Sequence, residues 1–179
     1  MSKPPRDRAS SASQTYFVTT SAWQNQALFQ SKRCADLFLT TLFAYRDQSK
    51  FLVHEFVLMP NHAHILLTLG SNVTLERAVQ FIKGGFSFRA GKDLGIKREI
   101  WQRGYVDHRI RDYQDYMHHR EYIRQNPVKA HLVEAPDEYP YNSARKSFQL
   151  DPIPQGLKPD PLSPLNGTTE ESVSQLIKL

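Results

Sequence analysis

The sequence lacks what several classes of protein require. A single cysteine, Cys34, stands among 179 residues, so no internal disulfide framework exists and a reducing compartment suits the chain. No apolar run approaches the roughly 20 residues that a membrane-spanning helix needs. Residues 1–14 are polar and basic with no apolar core, so no secretory signal is expected. No internal repeat is found. These absences leave a soluble, cytoplasmic protein with no membrane partner as the expectation.

What is present fits one ordinary domain. Hydrophobic residues make up 40% and charged residues 23% of the chain, within the range of globular proteins, and the length is too short for two comfortable domains. The formal net charge is +5, which favours an anionic partner without identifying one. Its distribution says more. From Lys83 to Lys129 there are 11 Lys or Arg against 6 Asp or Glu, so the whole excess can be assigned to that middle segment. Phe86, Phe88, Trp101, Tyr105, Tyr113 and Tyr116 are interleaved with those charges, a pattern that suits phosphate contact with base stacking. A solvated charged face over core aromatics explains the same pattern equally well.

Periodicity predicts a strand over 14–20, a helix over 31–46, and two strands, 51–59 and 62–69, joined by the Pro60-Asn61 turn as an antiparallel hairpin. A further helix opens at Thr74, with Gly84-Gly85 weakening its last turns. Extended structure is expected over 105–110. Asp112 is a good N-cap for a helix carrying Tyr113, Tyr116, Tyr122 and Ile123, which Asn126-Pro127 should end or kink, with a short helix near 128–133 to follow. The expected architecture is α+β, a ferredoxin-like split βαβ arrangement. An antiparallel sheet would carry helices on one face, with an added tyrosine-bearing helix. The expected domains are a basic tail over 1–14, a catalytic domain over 15–150, and a proline-rich tail over 151–179.

The chemistry sits in two short motifs. On a strand, His62 and His64 point to the same side with Cα atoms roughly 6.5–7 Å apart, close enough to converge on one cation. Two satisfied surface histidines on a hairpin edge remain the bland reading. The apolar run that follows, Ile65-Leu66-Leu67, weakens it, because unpaired polar groups are costly to bury there. In the second motif, Tyr122 and Asn126 stand one helical turn apart and share a face. A helix laid on the sheet could aim both at the histidines, with Tyr122 as nucleophile and the Asn126 carboxamide as a third metal ligand. A phenol is a poor nucleophile at neutral pH, so it needs a nearby cation to polarise the phosphate it attacks.

The combination Met59-Pro60-Asn61-His62-Ala63-His64 followed by Tyr122-Ile123-Arg124-Gln125-Asn126-Pro127-Val128-Lys129-Ala130 resembles the REP-associated tyrosine transposases, HUH-superfamily enzymes with one catalytic tyrosine. Trp101-Gln102-Arg103-Gly104-Tyr105, Asp107-His108 and Ile110-Arg111-Asp112 are similar to that family too, and the resemblance runs from about residue 16 to 143. It implies His62 and His64 as metal-binding pair, Asn126 as third ligand, and Tyr122 as the nucleophile that leaves a 5′-phosphotyrosyl link and a free 3′-hydroxyl. It implies Mg²⁺ or Mn²⁺ as cofactor, single-stranded DNA hairpins as partner, and a nucleoid-associated place in the cytoplasm. It leans toward a monomer, with a helix-exchanged dimer as the alternative. Ala63 departs from the bulky hydrophobe usual at that position, which bears on packing, since a strand turns it away from the histidines.

Arg103, Arg109, Arg111, Arg124 and Lys129 are candidate phosphate contacts, each with solvated surface as its alternative. His108 is read first as a structural histidine, with proton transfer or DNA contact second. His118 and His119 precede Tyr122 by four and three residues and could lie over it. A non-catalytic DNA-hairpin-binding regulator derived from such a transposase is the alternative function, and a metal hydrolase without a covalent step is the third.

Overall fold

The computed structural model describes residues 14–158. Residues 1–13 of the expected basic tail, and the proline-rich stretch from 159 onward, lie outside the described residues. The regular elements are β1 (Thr15–Ser21), α1 (Lys32–Asp47), β2 (Phe51–Met59), β3 (His62–Leu69), α2 (Leu75–Leu94), β4 (Val106–Arg109) and α3 (Tyr113–Lys129). The four strands form one sheet in the order β2-β3-β1-β4, and every neighbouring pair is antiparallel. Two βαβ halves interleaved in this way are the ferredoxin-like α+β arrangement.

Alternation along the strands assigns the two faces. Tyr16 and Val18 of β1 join Ala63, Ile65 and Leu67 of β3 in a core closed by Phe38 and Leu42 of α1 and Ile82 and Phe86 of α2. The opposite face carries Phe17, Val57, Met59 and Leu66, and α3 covers it with Tyr116 and Ile123. Thus α1 and α2 share one side of the sheet, and the tyrosine-bearing helix lies on the other.

Three local features differ from the sequence-based expectation. The Gly84-Gly85 pair falls mid-helix, and α2 continues to Leu94, where Gly95 at φ +68 ends it. A Cβ on Gly85 would lie 2.4 Å from the Tyr45 ring, and that ring stacks on Phe81 at 5.0 Å. Close contact between α1 and α2 therefore uses the missing side chain and offsets glycine's helix penalty of about 1 kcal/mol. Pro127 does not end α3, and no separate helix forms over 128–133. It sits in the last turn, where its missing N–H costs one bond, and Ala130 N–H still reaches the Asn126 carbonyl at 3.0 Å. His131, at φ +55, then turns the chain.

The third difference is in β2. The register shifts between Val53 and Glu55, a bulge that turns both His54 and Glu55 toward the α3 face. His54 meets Thr68 Oγ1 at 2.7 Å and the edge of the Tyr116 ring. Asp151 closes the bulge from outside. Its carboxylate accepts from Val53 N–H at 2.8 Å and from Arg46 at 2.8 and 2.9 Å. The first residues of the proline-rich segment are accordingly docked on the domain, with Ile153 and Leu157 packed against the α3-side core.

Candidate active site beneath helix α3

β3 starts with His62 and, because side chains alternate, sends His62 and His64 to the α3 face. Their ring centroids are 4.7 Å apart. Each ring is anchored through Nδ1, His62 by Asn61 Oδ1 at 2.7 Å and His64 by the Thr19 hydroxyl at 2.8 Å. With Nδ1–H as donor, each ring keeps its Nε2 lone pair for another partner. Thr19 stands directly across from His64 in the β1–β3 register.

Burial removes the competition from protons. His64 is pushed down to about 3, first by loss of solvent and then by the proximity of His62. Burial also lowers His62. Both imidazoles are therefore neutral near pH 7, which is the form a metal ion requires. Two neutral, pre-oriented nitrogens fit a divalent cation, and they leave room for oxygen ligands.

α3 lays Tyr122 against this pair. The Tyr122 ring meets His64 edge-on at 5.2 Å between centroids and meets Phe17 edge-on at 5.8 Å. Phe17 in turn stacks on His64 at 5.3 Å and 20°. Tyr122 remains 38% exposed, so a ligand can reach it. Lys129 Nζ lies 5.8 Å from the centre of the Tyr122 ring, a cation poised beside any phosphate brought to that hydroxyl. Asn126 follows Tyr122 by one turn of the same helix. Tyr116 of the same helix differs in setting. Tyr116 is buried in the core, and burial raises it strongly.

Of the candidate phosphate contacts, Arg103, Arg109, Arg111 and Lys129 are exposed. Arg124 has another task. Its guanidinium bonds Glu55 at 2.9 and 3.3 Å, together with Arg120 at 2.8 Å, and Ser143 Oγ donates to the same carboxylate at 2.5 Å. Glu55 is 3% exposed, so this is an interior clamp between α3 and β2, and Arg124 is committed to it.

Sequence reasoning missed Thr19, Asn61, Phe17 and Glu55. Asn61 adjoins His62 and was legible as a turn residue and as part of the motif, without its bond to the ring. Thr19 and Phe17 lie on the correct side of an alternating strand, but nothing local reveals which strand they pair with. Glu55 sits in a run that reads as plain β until the bulge is seen.

The fold is that of a known transposase. It superposes on the solved structure of a REP-associated tyrosine transposase bound to a REP hairpin with a TM-score of 0.66, at 24% identity, covering 86% of this chain and 92% of that one. Residues 11–126 match the family model described as Transposase IS200 like. The REP-associated tyrosine transposase of Escherichia coli K12 is 31% identical over 147 residues, which cover 81% of this chain and 82% of that protein. A Haemophilus influenzae protein given the same name provisionally is 30% identical over 132 residues, covering 65% and 75%. The chain belongs to the IS200-like transposase family, and within it to the REP-associated tyrosine transposases. Among the described residues, no helix is long and apolar enough to cross a membrane.

Proposed function

We propose that this protein cuts and rejoins single-stranded DNA at sites marked by a hairpin, with Tyr122 as nucleophile. The observation that carries the reading is the exposed Tyr122 ring set edge-on to His64 at 5.2 Å, on a helix of the same chain. In cleavage, the Tyr122 oxygen bonds to a backbone phosphorus as the phenol gives up its proton. The bond from phosphorus to the 3′ oxygen breaks, and that oxygen takes a proton on leaving. A 5′-phosphotyrosyl link and a free 3′-hydroxyl result, and rejoining runs the same step backwards.

His62 and His64, with the Asn126 carboxamide as third protein ligand, would hold Mg²⁺ or Mn²⁺, which when bound supplies charge to polarise the scissile phosphate. Phe17 and His64 fix the tilt of the Tyr122 ring, so little freedom is lost as the reactive geometry forms. Lys129 offsets negative charge beside the phenol. Arg103, Arg109 and Arg111 line the β4 side and suit backbone phosphates, which position a nucleic acid without reading its sequence. A relative solved with a REP hairpin supports the same class of ligand here. A DNA substrate also accords with a nucleoid-associated place in the cytoplasm.

The test uses hairpin-bearing single-stranded oligonucleotides from the protein's own genome, with Mn²⁺ or Mg²⁺. A denaturation-resistant adduct mapped to Tyr122, removed by chelator and absent in Tyr122→Phe while hairpin binding persists, is the expected result. An active Tyr122→Phe protein would point to a metal hydrolase without a covalent step. Tight, metal-independent hairpin binding with no adduct would make the protein a regulator.

A further inference from the structure

A second group of metal-binding side chains lies one helical turn before Tyr122. His108 projects from β4, and Asp115 and His119 project from α3 at positions four apart, which share a face. Their ligand atoms all lie within 4.8 Å of one another. Asp115 Oδ1 is 3.1 Å from His108 Nε2 and 3.2 Å from His119 Nδ1. A tetrahedral ion bonded at roughly 2.0–2.1 Å spaces its ligand atoms roughly 3.3–3.4 Å apart, so two sides of the required triangle are already close to their bound lengths.

From these distances we propose that His108, Asp115 and His119 form a second divalent-cation site, which suits Zn²⁺ or Co²⁺ better than Mg²⁺ and which staples the start of α3 to the sheet edge. Two imidazoles and one carboxylate are a nitrogen-rich set, and Mg²⁺ prefers oxygen. The two rings lie nearly parallel, 4.6 Å apart at 17°, so the half-exposed His108 ring must turn before both lone pairs meet one ion. Burial lowers His119 despite its bond to the Asp115 carbonyl, which keeps the ring neutral. Hydrogen bonds from His108 and Arg111 outweigh burial and hold Asp115 at about 2, so its carboxylate is charged at neutral pH.

Besides that turn, binding asks for two exchanged hydrogen bonds. His119 Nδ1 gives up its 2.8 Å bond to the Asp115 carbonyl, and His108 Nε2 its 2.8 Å bond to Oδ2, each by moving its proton to the other ring nitrogen. Oδ2 keeps the Arg111 N–H at 3.1 Å. The longer Arg111 Nε contact at 3.2 Å is solvent-exposed and expendable. Phe17 separates this group from the first pair, with His119 4.8 Å from one side of the ring and His64 5.3 Å from it. A staple here would order the helix that carries Tyr122, by contacts that no DNA needs to make.

The full chain bearing His62→Ala and His64→Ala is titrated with Zn²⁺, followed by its melting midpoint, and with Co²⁺, followed by visible absorption. Retention of one equivalent, with a rise of several degrees in midpoint at saturating Zn²⁺, is expected. Adding His108→Gln and His119→Gln should abolish the absorption and the rise. If that chain does not fold in far-ultraviolet dichroism, His108→Gln alone decides the matter, since His108 is half exposed on an edge strand. It should weaken binding at least 10-fold. Loss of all binding with His62 and His64 overturns the proposal, as does binding that survives the glutamine substitutions.

Discussion

His62 and His64 each commit Nδ1 to a neighbouring oxygen, Asn61 Oδ1 at 2.7 Å and the Thr19 hydroxyl at 2.8 Å. Those bonds settle which nitrogen faces outward and hold the rings against rotation. Ligand-orienting partners of this sort are worth about 10- to 100-fold in metal affinity. Thr19→Val keeps the β-branched shape and removes only the hydroxyl, so the strand should stand. The Mn²⁺ concentration giving half-maximal adduct formation is expected to rise about 10-fold or more. An unchanged requirement would mean that the His64 ring is held by Phe17 stacking alone. Ala63, by contrast, lies 1% exposed on the other face, opposite Thr20 in the register. Its departure from a bulky residue is therefore a matter of packing against α1 and α2.

At the scale of elements, α3 is set by what each side of it touches. Ile123 and Tyr116 face the sheet, Arg120 and Arg124 reach Glu55 on β2, and Tyr122 is left beside His64. Glu55 thereby fixes the helix's rotation about its own axis. Removing one partner of a buried ion pair costs about 3–5 kcal/mol. Both arginines are partly solvated here, so Glu55→Gln is expected to cost about 2–3 kcal/mol in a denaturant melt. Adduct yield should fall further than the folded fraction does. A stable variant with full activity would show that apolar packing suffices to aim Tyr122. The elements themselves were legible beforehand because their signals are local. The β2 and β3 boundaries follow from an apolar run broken by Pro60-Asn61, and the start of α3 from Asp112, whose side chain accepts the Asp115 N–H at 2.8 Å. The His pair and the Tyr122–Asn126 spacing were legible for the same reason. The bulge at His54, the Glu55 clamp and the Thr19–His64 bond were not, since each depends on residues 14 to 88 positions apart. Gly85 misled because its cost is offset by packing against Tyr45, which propensity does not contain, and Pro127 because it falls in the last turn, where only one bond is lost.

For the whole molecule, the decisive question is whose tyrosine serves whose histidines. The sheet and α3 here come from one chain. Two core clusters back them, and the Glu55 clamp and the Asn142 amide bond to the Arg124 carbonyl at 2.8 Å tie α3 to its own sheet. Exchanging the helix with a second copy would break that interior clamp and remake it across the dimer, and the turn after Lys129 runs straight back to Tyr139 and Asn142 against β2. On these contacts we propose a one-chain site. Mixing tests this directly. Tyr122→Phe and His64→Ala are each expected to form no adduct, the first lacking the proposed nucleophile and the second a proposed metal ligand. In a one-chain site an equimolar mixture stays inactive, because no molecule holds both groups. In a helix-exchanged dimer a mixed pair would contain one intact site, so the mixture would recover about a quarter of wild-type adduct by random pairing. The mixture is expected to be silent, and size-exclusion chromatography should give one chain per particle. Recovered adduct at the His64→Ala chain's Tyr122 would instead establish exchange and make the Glu55 clamp an intermolecular one.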